Sequence, residues 1–195
     1  MNIGDVRTCL VLALFGSTPT TAQEPNQNWT FDALSFPAVI DSFEVLSANR
    51  WPGVPELGTT VKYVTDIDPS AELDVYVYLV SADRVGSDSA RAFAEFDVAM
   101  VGIREYAENQ RGAEITIDEE QPHDVVATDG RSYAGQLARF TLRRGGERLR
   151  SILMVFVRDE HYVKFRMTYN PAMRVLLQPR LEEFTARVLA EVVVR

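Results

Sequence analysis

The chain offers few residues able to make or break bonds. Its histidines are His123 and His161, and its single cysteine is Cys9. A serine nucleophile needs a histidine base that is itself oriented by an acid. The segment Gly130-Arg131-Ser132-Tyr133-Ala134-Gly135 comes nearest to supplying the serine. A nucleophile elbow sets glycines two residues before and two after that serine, on a sharp strand-to-helix turn. Here the second glycine is three residues away and a strand pattern follows, so a plain turn is the favoured reading. Both histidines adjoin turn signals, with Asp124 and Asp159 beside them in sequence, and read as exposed turn residues. A small hydrolase using Ser132 with His123 or His161 is the alternative; it needs the hydroxyl within about 3 Å of an imidazole nitrogen.

Metal and phosphate chemistry find less support. Two histidines without a mature-chain cysteine do not suggest a zinc site. Asp66, Asp68, Ser70, Glu72 and Asp74 alternate like calcium-loop ligands, yet Ala71 and Val77 stand where an EF-hand needs glycine and glutamate. A looser calcium site would require those oxygens to converge; a solvated hairpin tip is the simpler reading. Gly145-Gly146 lacks the lysine and helix of a phosphate loop. Phe43, Trp51, Tyr76 and Tyr78 read as core aromatics rather than a ligand groove. No catalytic residue, metal ligand or cofactor is therefore assigned.

Charge gives the sharpest contrast along the chain. Residues 114–129 hold six acids and no Lys or Arg, whereas 131–150 hold six arginines and one acid, Glu147. On neighbouring strands the two blocks would form cross-strand ion pairs. The functional alternative is a cationic sheet face of Arg139, Arg148 and Arg150, extended by Lys164 and Arg166, that holds an acidic protein partner or an anionic ligand. The net charge of −8 argues against nucleic acid as that partner.

The first 22 residues have the layout of a secretory signal. A short apolar run, Cys9 to Phe15, precedes small residues up to Ala22, where cleavage is expected. That run is shorter than the roughly 20 residues a bilayer span needs. Residues 23–28 then form a polar, flexible tail, and 29–195 a single domain. A periplasmic or secreted location follows, with no transmembrane segment in the mature chain.

The elements that must position the charged residues follow from periodicity. Phe43 to Ser47 and Thr59 to Thr65 read as strands separated by the Trp51–Pro55 loop. Glu72 to Val80 alternates strictly, with Leu73, Val75, Val77 and Leu79 on one face. Ser87 or Asp88 caps a helix over 89–110 whose stripe is Phe93, Phe96, Met100, Ile103 and Ala107, and Gly112 ends it. Glu114–Asp118 and Asp124–Thr128 form a strand pair or one bulged strand. Strands over 133–142, 148–157 and 162–169 follow, the middle one apolar on both faces from Ile152 to Val157. Such a strand needs cover on both sides. Pro179 opens a last helix with Leu181, Phe184, Val188 and Val192 inward.

The fold class is α+β: a mainly antiparallel sheet of about six strands packed with two amphipathic helices. The order resembles the PsbP-like and DcrB-like α/β/α sandwich group. Phe36-Pro37, the hairpin around Val61 and Leu73–Val80, the Phe93–Tyr106 helix and the run Tyr162 to Tyr169 before a C-terminal helix carry the resemblance. It implies a small exported protein that acts by binding or assembly rather than catalysis. It brings no set of functional residues with it. The expected function is a non-enzymatic binding or assembly module of the bacterial cell envelope.

Overall fold

The computed structural model describes residues 29–31, 34–50, 58–109 and 113–194. The signal segment, the 23–28 tail, the Trp51–Pro55 loop and Gly112 lie outside the described residues. Among the described residues the main sheet is antiparallel throughout and has eight strands, in the order β3-β4-β5-β6-β10-β9-β8-β7. These are β3 (Val39–Ile40), β4 (Phe43–Arg50), β5 (Thr59–Thr65), β6 (Glu72–Leu79), β7 (Ala113–Val126), β8 (Ser132–Arg144), β9 (Glu147–Arg158) and β10 (His161–Tyr169). A second sheet joins β1 (Trp29–Phe31), β2 (Leu34–Phe36) and β11 (Val193–Val194).

The sheet is thus wider than the expected six strands. The short β3 extends one edge. At the other edge β7 runs unbroken for 14 residues, with a register shift between Ile117 and Glu119. Of the two readings for that segment, one bulged strand is the one found.

One helix covers each face. Helix α1 (Asp88–Asn109) packs on β8 and β9, and its N-terminus is capped by Ser87, whose Oγ accepts from the Ala90 amide at 3.3 Å. Helix α2 (Arg174–Glu191) lies on the opposite face. The both-sided apolar strand explains this layering. Ile152, Met154 and Phe156 join the core under α2, whereas Leu153, Val155 and Val157 join the core under α1. The α2-side core centres on Phe184, whose ring meets Phe43 at 5.0 Å and Tyr63 at 4.9 Å in edge-on contacts. No helix among the described residues is long and apolar enough to cross a membrane.

Two helical expectations need correction. Phe93 is not in the α1 stripe; it is 51% exposed, and Ala92 and Glu95 are buried instead. Ala92, Phe96, Met100, Ile103 and Ala107 share one arc at roughly 100° per residue, and Phe93 falls at its margin. Nor does Pro179 open the last helix. A 3-10 turn at Pro171–Met173, capped by the Asn170 side chain, leads directly into α2 at Arg174. Pro179 sits inside α2, where it can donate no bond to the Val175 carbonyl.

Candidate functional site

Strand alternation leaves a polar row on the sheet face beneath α1. The register aligns Thr60 of β5, Tyr76 of β6, Lys164 of β10 and Val155 of β9. The next row aligns Lys62, Asp74, Arg166 and Leu153. Because Val61, Tyr63, Val75 and Phe165 fill the α2-side core, these polar neighbours point to the α1 side.

Lys164 is only 6% exposed. Its Nζ lies 4.0 Å from Glu95 Oε1 and 5.0 and 5.1 Å from the ring centres of Tyr76 and Tyr78. Cation–π attraction and the carboxylate thus replace part of its lost hydration. Glu95 also accepts from the Tyr78 hydroxyl. Burial lowers the Lys164 pKa, and Glu95 opposes that shift. Burial likewise holds the Tyr78 phenol far above its ordinary range.

Asp74, 7% exposed, is pushed up to about 6, chiefly by burial, with Lys62 and Arg166 pulling the other way. Lys62 pairs with Glu72 at 3.4 Å. Asp74 and Arg166 border a cleft of about 180 Å³, lined also by Lys62, Ser70, Glu72, Tyr106, Leu142, Arg144, Leu149 and Thr168. Among the described residues three cations and two acids surround it, with two leucines as an apolar wall and no histidine. The Ser70 hydroxyl is held by Asp68 at 2.5 Å. Such a lining suits recognition of an anion through guanidinium and ammonium groups.

The structure divides the cationic face expected from the sequence. Arg139, Arg148 and Arg150 point to the α2 side, in phase with Leu137 and Ile152, whereas Lys164 and Arg166 point to the α1 side. The arginine block is largely engaged with the acidic block. Arg139 bonds Glu119, Arg150 meets Asp118 at 2.8 Å, and Arg131 meets Asp129 at 2.7 Å, while Arg104 of α1 takes Glu120 at 2.8 Å. Arg148 is exposed and faces Arg143 across the strand pair.

The serine and the histidines are not brought together. His123 pairs with Gly135 and so shares the α2 side with Val125 and Tyr133; Ser132 points the other way. His161 is in phase with Val163 on the α2 side, and its Nδ1 lies 2.8 Å from the Asp159 carbonyl oxygen. His123 is half-buried beside Phe156, with its pKa lowered by that burial. The 128–131 segment is a turn that leads into β8 at Ser132, closed by the Asp129 carboxylate accepting from the Arg131 amide at 3.1 Å and its Nε at 2.7 Å. Gly135 answers to packing: a Cβ there would meet the Phe156 ring and lie 2.6 Å from the Val155 carbonyl oxygen.

The acids of residues 66–74 do not gather into one metal site either, although Glu72 and Asp74 both border the cleft. Asp68 is 6% exposed and accepts from the Ser70 amide at 3.0 Å and the Asn170 amide at 3.1 Å. It ties the β5–β6 turn to the start of α2. Among the described residues no group of three or more His, Cys, Asp or Glu could hold a metal ion.

Glu95, Asp74 and Lys62 were not singled out by sequence as one site. One signal was present: the only lysines of this arginine-rich chain, Lys62 and Lys164, fall on the same sheet face.

The antiparallel sheet packed with two helices is the α+β arrangement expected from the element order, and the fold is PsbP-like. The solution structure of the cyanobacterial PsbP protein (CyanoP) of Synechocystis is similar, with a TM-score of 0.54 and 12% identity, over 93% of this chain and 99% of that one. A Pseudomonas aeruginosa protein of unknown function is similar with a TM-score of 0.44 and 14% identity, over 82% and 93% of the two chains. At such identities the likeness concerns the fold. No family model and no curated protein matches the sequence.

Proposed function

We propose that this chain is an exported, non-enzymatic binding module of the cell envelope, and that the cleft beneath α1 receives an acidic partner or an anionic ligand. The observation that carries the reading is the convergence of Lys62, Arg144 and Arg166 on one cleft. The signal-like first 22 residues support export, and the PsbP-like fold is compatible with it.

The test is mild cross-linking of the tagged full-length protein in its native host, followed by mass spectrometry. A mature N-terminus at Gln23 and a stoichiometric envelope partner, lost in Arg166→Ala, is the expected result. An intact Met1 would remove export. A partner retained undiminished by Arg166→Ala would remove the cleft from the reading.

A further inference from the structure

Resting on that reading of the cleft, we propose that it binds a carboxylate together with a proton: Arg166 and Lys62 take the ligand, and Asp74 between them becomes protonated. The carboxylate can belong to a free small acid or to an acidic side chain of a protein partner.

The geometry argues this in three steps. Arg166 is half-buried, and among the described residues no ion pair within 4.0 Å occupies its guanidinium. Its planar fork matches a carboxylate in two parallel bonds. Second, the cleft of about 180 Å³ admits one small acid or one side-chain end, not a folded surface. Third, Asp74 lies directly between Lys62 and Arg166 in the strand register, so any anion held by those cations sits beside it.

Two ionised carboxylates sharing one buried site repel, and one of them takes up a proton. Asp74 is the one already close to doing so, since burial raises its pKa to about 6. The groups facing it are Lys62 from β5, Arg166 from β10, and Glu72 and Tyr76 on its own strand. Tyr106 of α1 and Arg144 of β8 line the same cleft. With Asp74 neutral, the charged groups that line the cleft among the described residues are Lys62, Arg144, Arg166 and Glu72. Proton uptake therefore turns a mixed lining into a cationic one, without any change of conformation.

The test is an NMR titration of the full chain with formate, which stays ionised above pH 5, following the Asp74 carboxyl carbon and the amides of β6 and β10. An N-acetyl-glutamyl amide forms the second arm. Formate affinity should rise at least tenfold from pH 7.5 to 5.5, since only the protonated fraction of Asp74 is competent. The Asp74 midpoint should move upward with saturating formate. Asp74→Asn should bind at pH 7.5 as tightly as wild type does at pH 5.5, and Arg166→Ala should not bind. Preference for either probe supports the proposal and names the source of the carboxylate. Binding that is pH-independent in the wild type, or equally pH-dependent in Asp74→Asn, overturns the proton coupling and leaves the cleft as a binding site. No binding of either probe between pH 5 and 8 overturns both.

Discussion

At Asp74 burial and charge oppose each other, and the balance has a consequence for stability. Its folded pKa of about 6 lies above the ordinary 3.8, so the native state binds this proton more tightly than the unfolded chain does. The stability it contributes is fully present below about pH 4 and is lost as pH rises through 6. Asp74→Asn keeps the neutral form at all pH values. It should exceed the wild type by about 2–3 kcal/mol at pH 7.5, with the gap closing near pH 4. Urea unfolding at both pH values checks this, and a variant no more stable at pH 7.5 refutes it. Asp68 acts in the opposite sense: burial works to raise its pKa, but the bonds from Ser70 and Asn170 together lower it, so its contribution fades as pH falls. Comparing Asp74→Asn with wild type cancels that term. Gly135 gives a second test at this scale. Gly135→Ala forces a methyl into the Phe156 ring and the Val155 carbonyl, and should cost about 1–3 kcal/mol in the same assay.

At the scale of elements, Lys164 and Glu95 join β10 to α1 beside the apolar α1-side core. Removing one partner strands the other charge, so Glu95→Ala should cost about 3 kcal/mol. Glu95→Leu with Lys164→Met should cost less than that single change, because no buried charge remains. A double-mutant cycle by denaturant unfolding decides it; a double variant worse than Glu95→Ala would show the pair to be a net stabiliser. This pair also marks what sequence could and could not tell. Ile152–Val157 announced a strand covered on both faces, because alternation within one strand is a local property. Glu95 could not be placed that way. It lies at the margin of the α1 arc and is buried because the sheet offers it an ammonium and a phenol. Phe93, at the opposite margin, meets no such cover. The start of α2 was misread because Pro179 resembled a first-turn proline, while the Asn170 cap and Pro171 performed that role eight residues earlier. Lys164 and Arg166 were legible as candidates. Their separation from Arg139, Arg148 and Arg150 was not, since the phase between distant strands depends on register and the turns that set it.

At the scale of the whole molecule, α2 is fastened by aromatic packing. The Phe184 ring contacts Phe43 and Tyr63 near one end of the sheet and lies 6.3 Å from Phe165 of β10. Phe184→Ala should therefore cost about 3–5 kcal/mol, seen as a lowered denaturant midpoint with unchanged slope. The order of the main sheet has a consequence for how the cleft comes into being. Strands β3 to β6 pair in succession, as do β7 to β10, and the two ribbons meet only along β6 and β10. Each ribbon can zip up from short loop closures, whereas the seam between them must wait for a closure spanning some ninety residues, from Asp74 to Arg166. Every cation–carboxylate relation around Asp74 and Lys164 crosses or touches that seam. A ligand lodged there would serve as a staple between the two ribbons. Its grip should be legible as slowed hydrogen exchange along β6 and β10, where they meet.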